Sequence, residues 1–228
     1  MNEIDYKSIL ATTASFCTII QFLSGIVTCQ KIVKNKSSGD LTSFPFVSGS
    51  LSTSLWLRYG FLIQDRSIIL VNAVGILLFF TYVTIFFIYS IKKGSIIRQC
   101  LACMIVLSLV LLHIQQTTDI QEAKSFLGLV CCFVTVLFFA SPLSSLLEVI
   151  RLKTTENLPY HLILMTFIVS FQWLVYGIVL HDKFIQIPNF LGCILSGSQL
   201  SLFVLYPSRH SKRFLFTGSI HAMKFDIL

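Results

Sequence analysis

Charged side chains are scarce in this chain: 12% of its 228 residues carry a charge, against roughly a quarter in soluble domains. That excludes a soluble globular fold, because too little of the surface would be polar. Nor is there a secretory leader of the usual form. Met1 to Ser8 holds Glu3 and Asp5 against Lys7 alone, and the apolar run that follows is long enough to span a membrane. The seven cysteines, Cys17, Cys29, Cys100, Cys103, Cys131, Cys132 and Cys193, are odd in number and nearly all lie in apolar runs, which argues against a disulfide framework. Cys100 and Cys103 form a C-x-x-C, but no second pair completes a zinc site and no βαβ pattern surrounds them. The formal charge of +7 is scattered singly along the chain, so no basic patch for nucleic acid forms. No cluster of catalytic or metal-ligating groups appears, and neither an enzyme nor a cofactor is expected.

What the chain does have is apolar length: 55% of its residues are hydrophobic and its mean hydropathy is +0.82. A spanning helix needs about 20 mostly apolar residues. Seven such stretches appear, from Ile9 to Gln30, Leu41 to Ile63, Ser67 to Ile91, Gln99 to Thr118, Ser125 to Leu147, Leu158 to Leu180 and Phe184 to Tyr206. The second contains Arg58 near its end, where the long stem lets the guanidinium reach the interface. Retained loops carry Lys and Arg on the cytoplasmic side. Twelve of the seventeen basic residues fall on one side: Lys31, Lys34, Lys36, Lys92, Lys93, Arg98, Arg151, Lys153, Arg209, Lys212, Arg213 and Lys224. The other five, Lys7, Arg58, Arg66, Lys124 and Lys183, fall on the opposite side. The expected topology therefore has the N-terminus outside and the tail, 207–228, in the cytosol. The sequon Asn35-Lys36-Ser37 then lies inside and is expected to stay unmodified.

The most informative pattern is an internal repeat. Trp56-Leu57-Arg58-Tyr59-Gly60, followed by Asp65, Ile68, Asn72 and Gly75, is matched by Trp173-Leu174-Val175-Tyr176-Gly177, followed by Asp182, Ile185, Asn189 and Gly192, at a constant offset of 117. The same offset carries Ser24 onto Ser141, Gly25 onto Pro142, Lys34 onto Arg151, Lys36 onto Lys153 and Leu41 onto Leu158. Spans one to three thus match spans five to seven. A unit of three crossings ends opposite its start, and one linking crossing restores the side. The fold predicted is an all-α integral membrane protein of seven helices: a three-helix bundle over 9–91, a linker helix over 97–118 and a parallel second bundle over 125–206. A pseudo-twofold axis along the membrane normal would relate the bundles, with a site between them near the midplane.

Polar groups inside the spans point to that site. Asn72 and Asn189 are repeat mates in the third and seventh spans, so the axis presents both amides to one space. An amide offers two donors and one carbonyl acceptor, which suits a neutral polyol. Trp56 and Trp173, also mates, supply flat apolar faces for sugar C–H groups. Each residue type has a structural alternative: intramembrane Asn often only bonds a neighbouring helix, and Trp often sits in the interfacial belt. Mid-span carboxylates or histidines, which ion-coupled pumps use as carriers, are absent; His113, His161 and His181 lie near span ends. Downhill transport is the consequence expected. Pro45 and Pro159 begin spans, where proline is either a first-turn residue or a hinge, and Pro142 within the fifth span is the stronger hinge candidate. Gly25, its mate, loosens a helix without a fixed kink.

Together these residues resemble the SWEET sugar-transporter family. The resemblance rests on Pro45 eleven residues before Trp56, on W-x-x-Y-G in both repeats, on Ser141-Pro142 and Leu158-Pro159, and on P-N-F-x-G from Pro188 to Gly192. It covers nearly the whole chain apart from its tails. It implies uniport of mono- or disaccharides by alternating access, glucose or a related hexose foremost, in the plasma membrane or alternatively the Golgi or another internal membrane. Carried over by position, Asn72 and Asn189 would hydrogen-bond the sugar, Trp56 and Trp173 would flank it, and Ser52 would line the same pocket. Tyr59 and Asp182 resemble an extracellular gate, Gly25, Pro45, Pro142 and Pro159 the family's inner proline positions, and Gln199 a polar hinge residue. The family's homo-oligomers extend to this chain as an expectation. A seven-helix receptor is the rival from another class, but it lacks a duplication, and no D-R-Y or N-P-x-x-Y is present; a PQ-loop proton-coupled exporter would need a P-Q dipeptide and a mid-span carboxylate, and both are missing.

Overall fold

In the computed structural model, residues 3–156 and 158–206 are described, so the expected cytosolic tail, 207–228, lies outside the described residues. Nine helices run through them: α1 (Glu3–Leu23), α2 (Gly25–Asn35), α3 (Phe44–Leu62), α4 (Arg66–Tyr89), α5 (Lys93–Gln116), α6 (Ile120–Leu137), α7 (Ala140–Leu152), α8 (Tyr160–Val179) and α9 (Lys183–Leu205). Their surfaces expose large apolar side chains such as Leu77, Phe80, Leu129 and Val204, as lipid-facing helices do. The chain is a multi-pass integral membrane protein.

The first and fifth expected spans each arrive as two helices, α1–α2 and α6–α7. The second break precedes Pro142, which has no N–H to offer the carbonyl of Phe138. The first occurs without a proline. There the Tyr82 hydroxyl donates to the Phe22 carbonyl at 3.1 Å, and its ring lies where a Cβ on Gly25 would stand only 2.5 Å away. The Ser24 hydroxyl takes the Gln21 carbonyl at 2.7 Å. Side chains that capture helix carbonyls interrupt the ladder, so Gly25 begins a new helix instead of merely loosening an old one. The helix in the linker region also starts earlier than the sequence suggested, at Lys93.

Among the described residues, six stretches are long and apolar enough to cross a membrane: 6–35 across α1 and α2, α4, α5, 120–152 across α6 and α7, α8, and α9. The remaining helix, α3, is diluted by Ser48, Ser50, Ser52, Thr53 and Ser54. Much of that polarity is folded back: Thr53 donates to the Gly49 carbonyl at 2.9 Å and Ser54 to the Ser50 carbonyl at 2.8 Å. Against α3 lie α4, α5 and α6, which cover its flanks.

Neighbour relations repeat along the chain. Helix α4 lies against α1, α2 and α3; helix α9 lies against α6, α7 and α8. Contacts of α1 with α8 and of α3 with α6 join the halves.

The repeated W-x-x-Y-G…D motif proves to be a tight helical hairpin. At the end of α3, Gln64 adopts φ 55°, the Asp65 N–H donates to the Gly60 carbonyl at 3.0 Å, and the Asp65 carboxylate accepts the N–H groups of Ser67 and Ile68 at 3.0 Å. At the end of α8, His181 adopts φ 52°, Asp182 N–H donates to the Gly177 carbonyl at 2.9 Å, and its carboxylate caps α9 through Phe184 N–H at 3.0 Å. Each aspartate is thus an N-cap. Glycine is needed for closeness: a Cβ on Gly60 would stand 3.1 Å from the Ile69 nitrogen, and one on Gly177 3.1 Å from that of Gln186. Backbone atoms cannot move aside as a flexible side chain can. Gly60→Ala or Gly177→Ala is therefore expected to destabilise the fold by about 1–3 kcal/mol, read as a lower Tm of the detergent-purified protein; an unchanged Tm would show that the hairpins tolerate wider spacing.

Candidate functional site

Ten residues line a cavity where the halves meet: Thr18, Trp56, Ile68, Val71, Asn72, Thr135, Trp173, Ile185, Pro188 and Asn189. They are five pairs at the 117-residue offset, Thr18 with Thr135, Trp56 with Trp173, Ile68 with Ile185, Val71 with Pro188 and Asn72 with Asn189. The cavity therefore lies on the pseudo-symmetry relation itself. None of its wall residues ionises.

Each asparagine anchors one amide N–H on its own helix, Asn72 to the Ile68 carbonyl at 2.8 Å and Asn189 to the Ile185 carbonyl at 2.7 Å. The second N–H and the amide carbonyl of each have no partner among the described residues. The tryptophans are fixed differently. The indole N–H of Trp56 donates to the Thr135 hydroxyl at 3.2 Å and that of Trp173 to the Thr18 hydroxyl at 2.8 Å. Those threonines donate onward to the Cys131 carbonyl at 2.8 Å and the Ala14 carbonyl at 2.7 Å. With both N–H groups engaged across the halves, what the indoles offer the cavity is ring surface. Sequence reasoning missed Thr18 and Thr135, although they are an identical pair at the same offset.

Next to the tryptophans, phenols meet carboxylates across the halves. The Tyr59 hydroxyl donates to Asp182 Oδ2 at 2.7 Å, and the Tyr176 hydroxyl to Asp65 Oδ2 at 2.5 Å; all four residues are buried. Each aspartate caps its own helix with Oδ1 and takes the other half's phenol with Oδ2. The second pair was not named from sequence, yet the offset maps Tyr59 onto Tyr176 and Asp65 onto Asp182. Lys124 adds an ion pair to Asp182 at 3.2 Å; its repeat mate Lys7 is exposed. The rings of Tyr59 and Tyr176 stand edge-on to Trp56 and Trp173 at 5.5 and 5.6 Å, linking these hydrogen bonds to the cavity walls.

Away from these hydrogen bonds a second, larger cavity shares Trp56, Asn72 and Thr135 with the first. Ser52 and Pro45 line this larger space and not the smaller one. Along α3 the order is thus Phe44 and Pro45, then Ser52, then Trp56, then Tyr59 on Asp182. Pro45 is the second residue of α3, Pro142 the third of α7, and Pro159 the cap of α8. None of these removes a bond from a helix interior. Pro188 does, and the Phe184 carbonyl it leaves free accepts the Cys132 thiol at 3.1 Å. Buried Gln199 donates to the Pro142 carbonyl at 3.2 Å, tying α9 across the α6–α7 break.

Known proteins share this architecture and sequence. Residues 8–94 and 125–211 each match the family described as sugar efflux transporter for intercellular exchange, so the same unit occurs twice in one chain. The sugar transporter SWEET1 of Drosophila pseudoobscura pseudoobscura is 47% identical over 92% of this chain and 93% of its own length. The bidirectional sugar transporter SWEET7 of Arabidopsis thaliana is 30% identical over 88% of this chain and 80% of its own. A solved eukaryotic SWEET transporter superposes with a TM-score of 0.80 at 29% identity, covering 88% of this chain and 98% of that one. The repeat, the fold and these likenesses agree: the chain belongs to the SWEET family of sugar transporters.

Proposed function

We propose that this protein is a facilitative, bidirectional uniporter of mono- or disaccharides, hexoses foremost, working by alternating access. The observation that carries the reading is the cavity built of five repeat pairs, in which two asparagines keep hydrogen-bonding capacity unused and two tryptophans present apolar faces. A pyranose matches this with hydroxyls around its rim and C–H groups on its faces. Ser52, on the wall of the adjoining space, meets the sugar on its way to or from the site.

Seven crossings in a 3+1+3 order fit the chain best, with α1–α2, α3 and α4 as the first bundle, α5 as the linker, and α6–α7, α8 and α9 as the second. The repeated neighbour relations support this. The skew of basic residues supports an outside N-terminus and a cytosolic tail. On that topology the Tyr59–Asp182 and Tyr176–Asp65 bonds form the extracellular gate, and the larger cavity faces the cytosol. The chain is then held inward-facing, with lipid around it and a homo-oligomer as its assembly in the plasma membrane. Uncoupled transport follows from a wall that carries no ionisable side chain.

Trans-acceleration tests alternating access. In proteoliposomes, unlabelled glucose outside should speed the exit of labelled glucose, because a loaded carrier returns faster than an empty one. Indifference to trans sugar would indicate a pore instead. The breaks before Gly25 and Pro142, with Gln199 braced on the Pro142 carbonyl, are the hinge positions of this cycle, and Pro45 and Pro159 set the starts of α3 and α8 beside them. Pro142→Ala is expected to heal the α6–α7 break and lower turnover severalfold with little change in the sugar concentration at half-maximal rate; a pure loss of affinity would assign Pro142 to binding.

A further inference from the structure

The larger cavity departs from the symmetry of the smaller one. Its walls are aromatic and aliphatic, with Phe22, Phe44, Phe79, Leu137 and Phe138 around the shared Trp56. The offset maps Phe44 onto His161, Phe79 onto Ser196 and Phe138 onto Gln21, so three of these apolar walls have polar mates across the pseudo-axis, while Phe22 and Leu137 map onto the apolar Phe139 and Ile20. The aromatic side is well supported. Phe22 and Phe79 meet edge-on at 5.2 Å, and Phe79 seats on Gly49, where a Cβ would stand 2.6 Å from its ring. Among the hydroxyls present, those of Ser48 and Thr53 are turned onto their own helix. A water-filled exit for a polar solute has no need of such a lining, since a sugar gains little from it.

We propose that this chamber binds the apolar aglycone of an aryl glycoside whose sugar ring occupies the tryptophan–asparagine cavity, making such glycosides tight competitors for the site. The inference rests on the reading of that cavity as the sugar site. The two spaces share Trp56, Asn72 and Thr135 as walls and so lie side by side, within reach of one molecule that carries a sugar and a ring. A substituent at the anomeric carbon that points along α3 toward Phe44 leaves water for an aromatic box, and burying a ring of phenyl size corresponds to roughly tenfold or more in affinity.

The test uses the full chain in proteoliposomes and labelled glucose exchange, with methyl β-D-glucoside, phenyl β-D-glucoside and free phenol as competitors. Phenyl glucoside should inhibit at a concentration at least about tenfold below methyl glucoside, with phenol alone inert. Equal potency of the two glycosides, inhibition by phenol alone, or failure of both while unlabelled glucose competes would each overturn the chamber and leave the sugar site standing. If unlabelled glucose itself fails to compete, the sugar site falls and the chamber with it. Phe138→Gln and Phe79→Ser, which install the residues of the repeat mates, should each bring the phenyl-to-methyl ratio toward one. A ratio unchanged in both would refute this location for the aglycone.

Discussion

Asn189→Ala should abolish glucose uptake or lower it at least about 30-fold, while the protein still folds and reaches the membrane. The side chain contributes one N–H and one carbonyl to the cavity beyond the bond it makes to Ile185. Removing it leaves two sugar hydroxyls facing a dry wall, and each unsatisfied buried polar group costs about 1–3 kcal/mol. Asn72→Ala should act similarly, because the cavity treats the two as mates. Flux measured at matched surface level decides the matter; normal uptake in either variant would remove that residue from the site. Folding should survive, since the anchoring bond runs to a carbonyl within the same helix and not to a neighbour.

The second large effect concerns the seal. Tyr59→Phe with Tyr176→Phe deletes two hydroxyls and keeps the rings that stand edge-on to Trp56 and Trp173. A hydrogen bond to a charged acceptor contributes about 1.5–3 kcal/mol, so loss of both should shift the conformational balance away from the sealed state by roughly 100-fold or more. Exchange should slow at least tenfold by the same reasoning, because a carrier that rarely closes one end cannot complete its cycle. A reporter Thr135→Cys should become far more reactive to a membrane-impermeant thiol reagent applied from the hairpin side. Unchanged reactivity would mean that Lys124 on Asp182, or helix packing, suffices to hold the seal.

Much of this was legible in the sequence because the duplication is ungapped over its informative part. A constant offset placed Asn72 opposite Asn189 and Trp56 opposite Trp173 before any coordinates, and all four line one cavity. The same arithmetic, pursued further, would have supplied Thr18 with Thr135 and the Tyr176–Asp65 bond, since each is the image of a residue or pair nearby. Other features have no such signature. The break at Ser24 is imposed from outside by Tyr82, a contact across 60 positions in sequence, and propensity reads only local windows. Likewise, the Cys132 thiol that relieves the Phe184 carbonyl comes from α6, and only the proline that creates the need is visible in α9. The aromatic chamber was hidden for a different reason: Phe44, Phe79 and Phe138 lie where the repeats differ, and a search for self-similarity discards such positions.

Flux of labelled glucose and sucrose in cells expressing the chain, measured inward and outward with and without a protonophore, tests the account most directly. A sugar uniporter predicts saturable flux that follows the gradient in either direction and ignores the protonophore. Accumulation against the gradient that collapses with the protonophore would contradict uncoupled transport, and no flux of either sugar at full surface expression would contradict the sugar site itself.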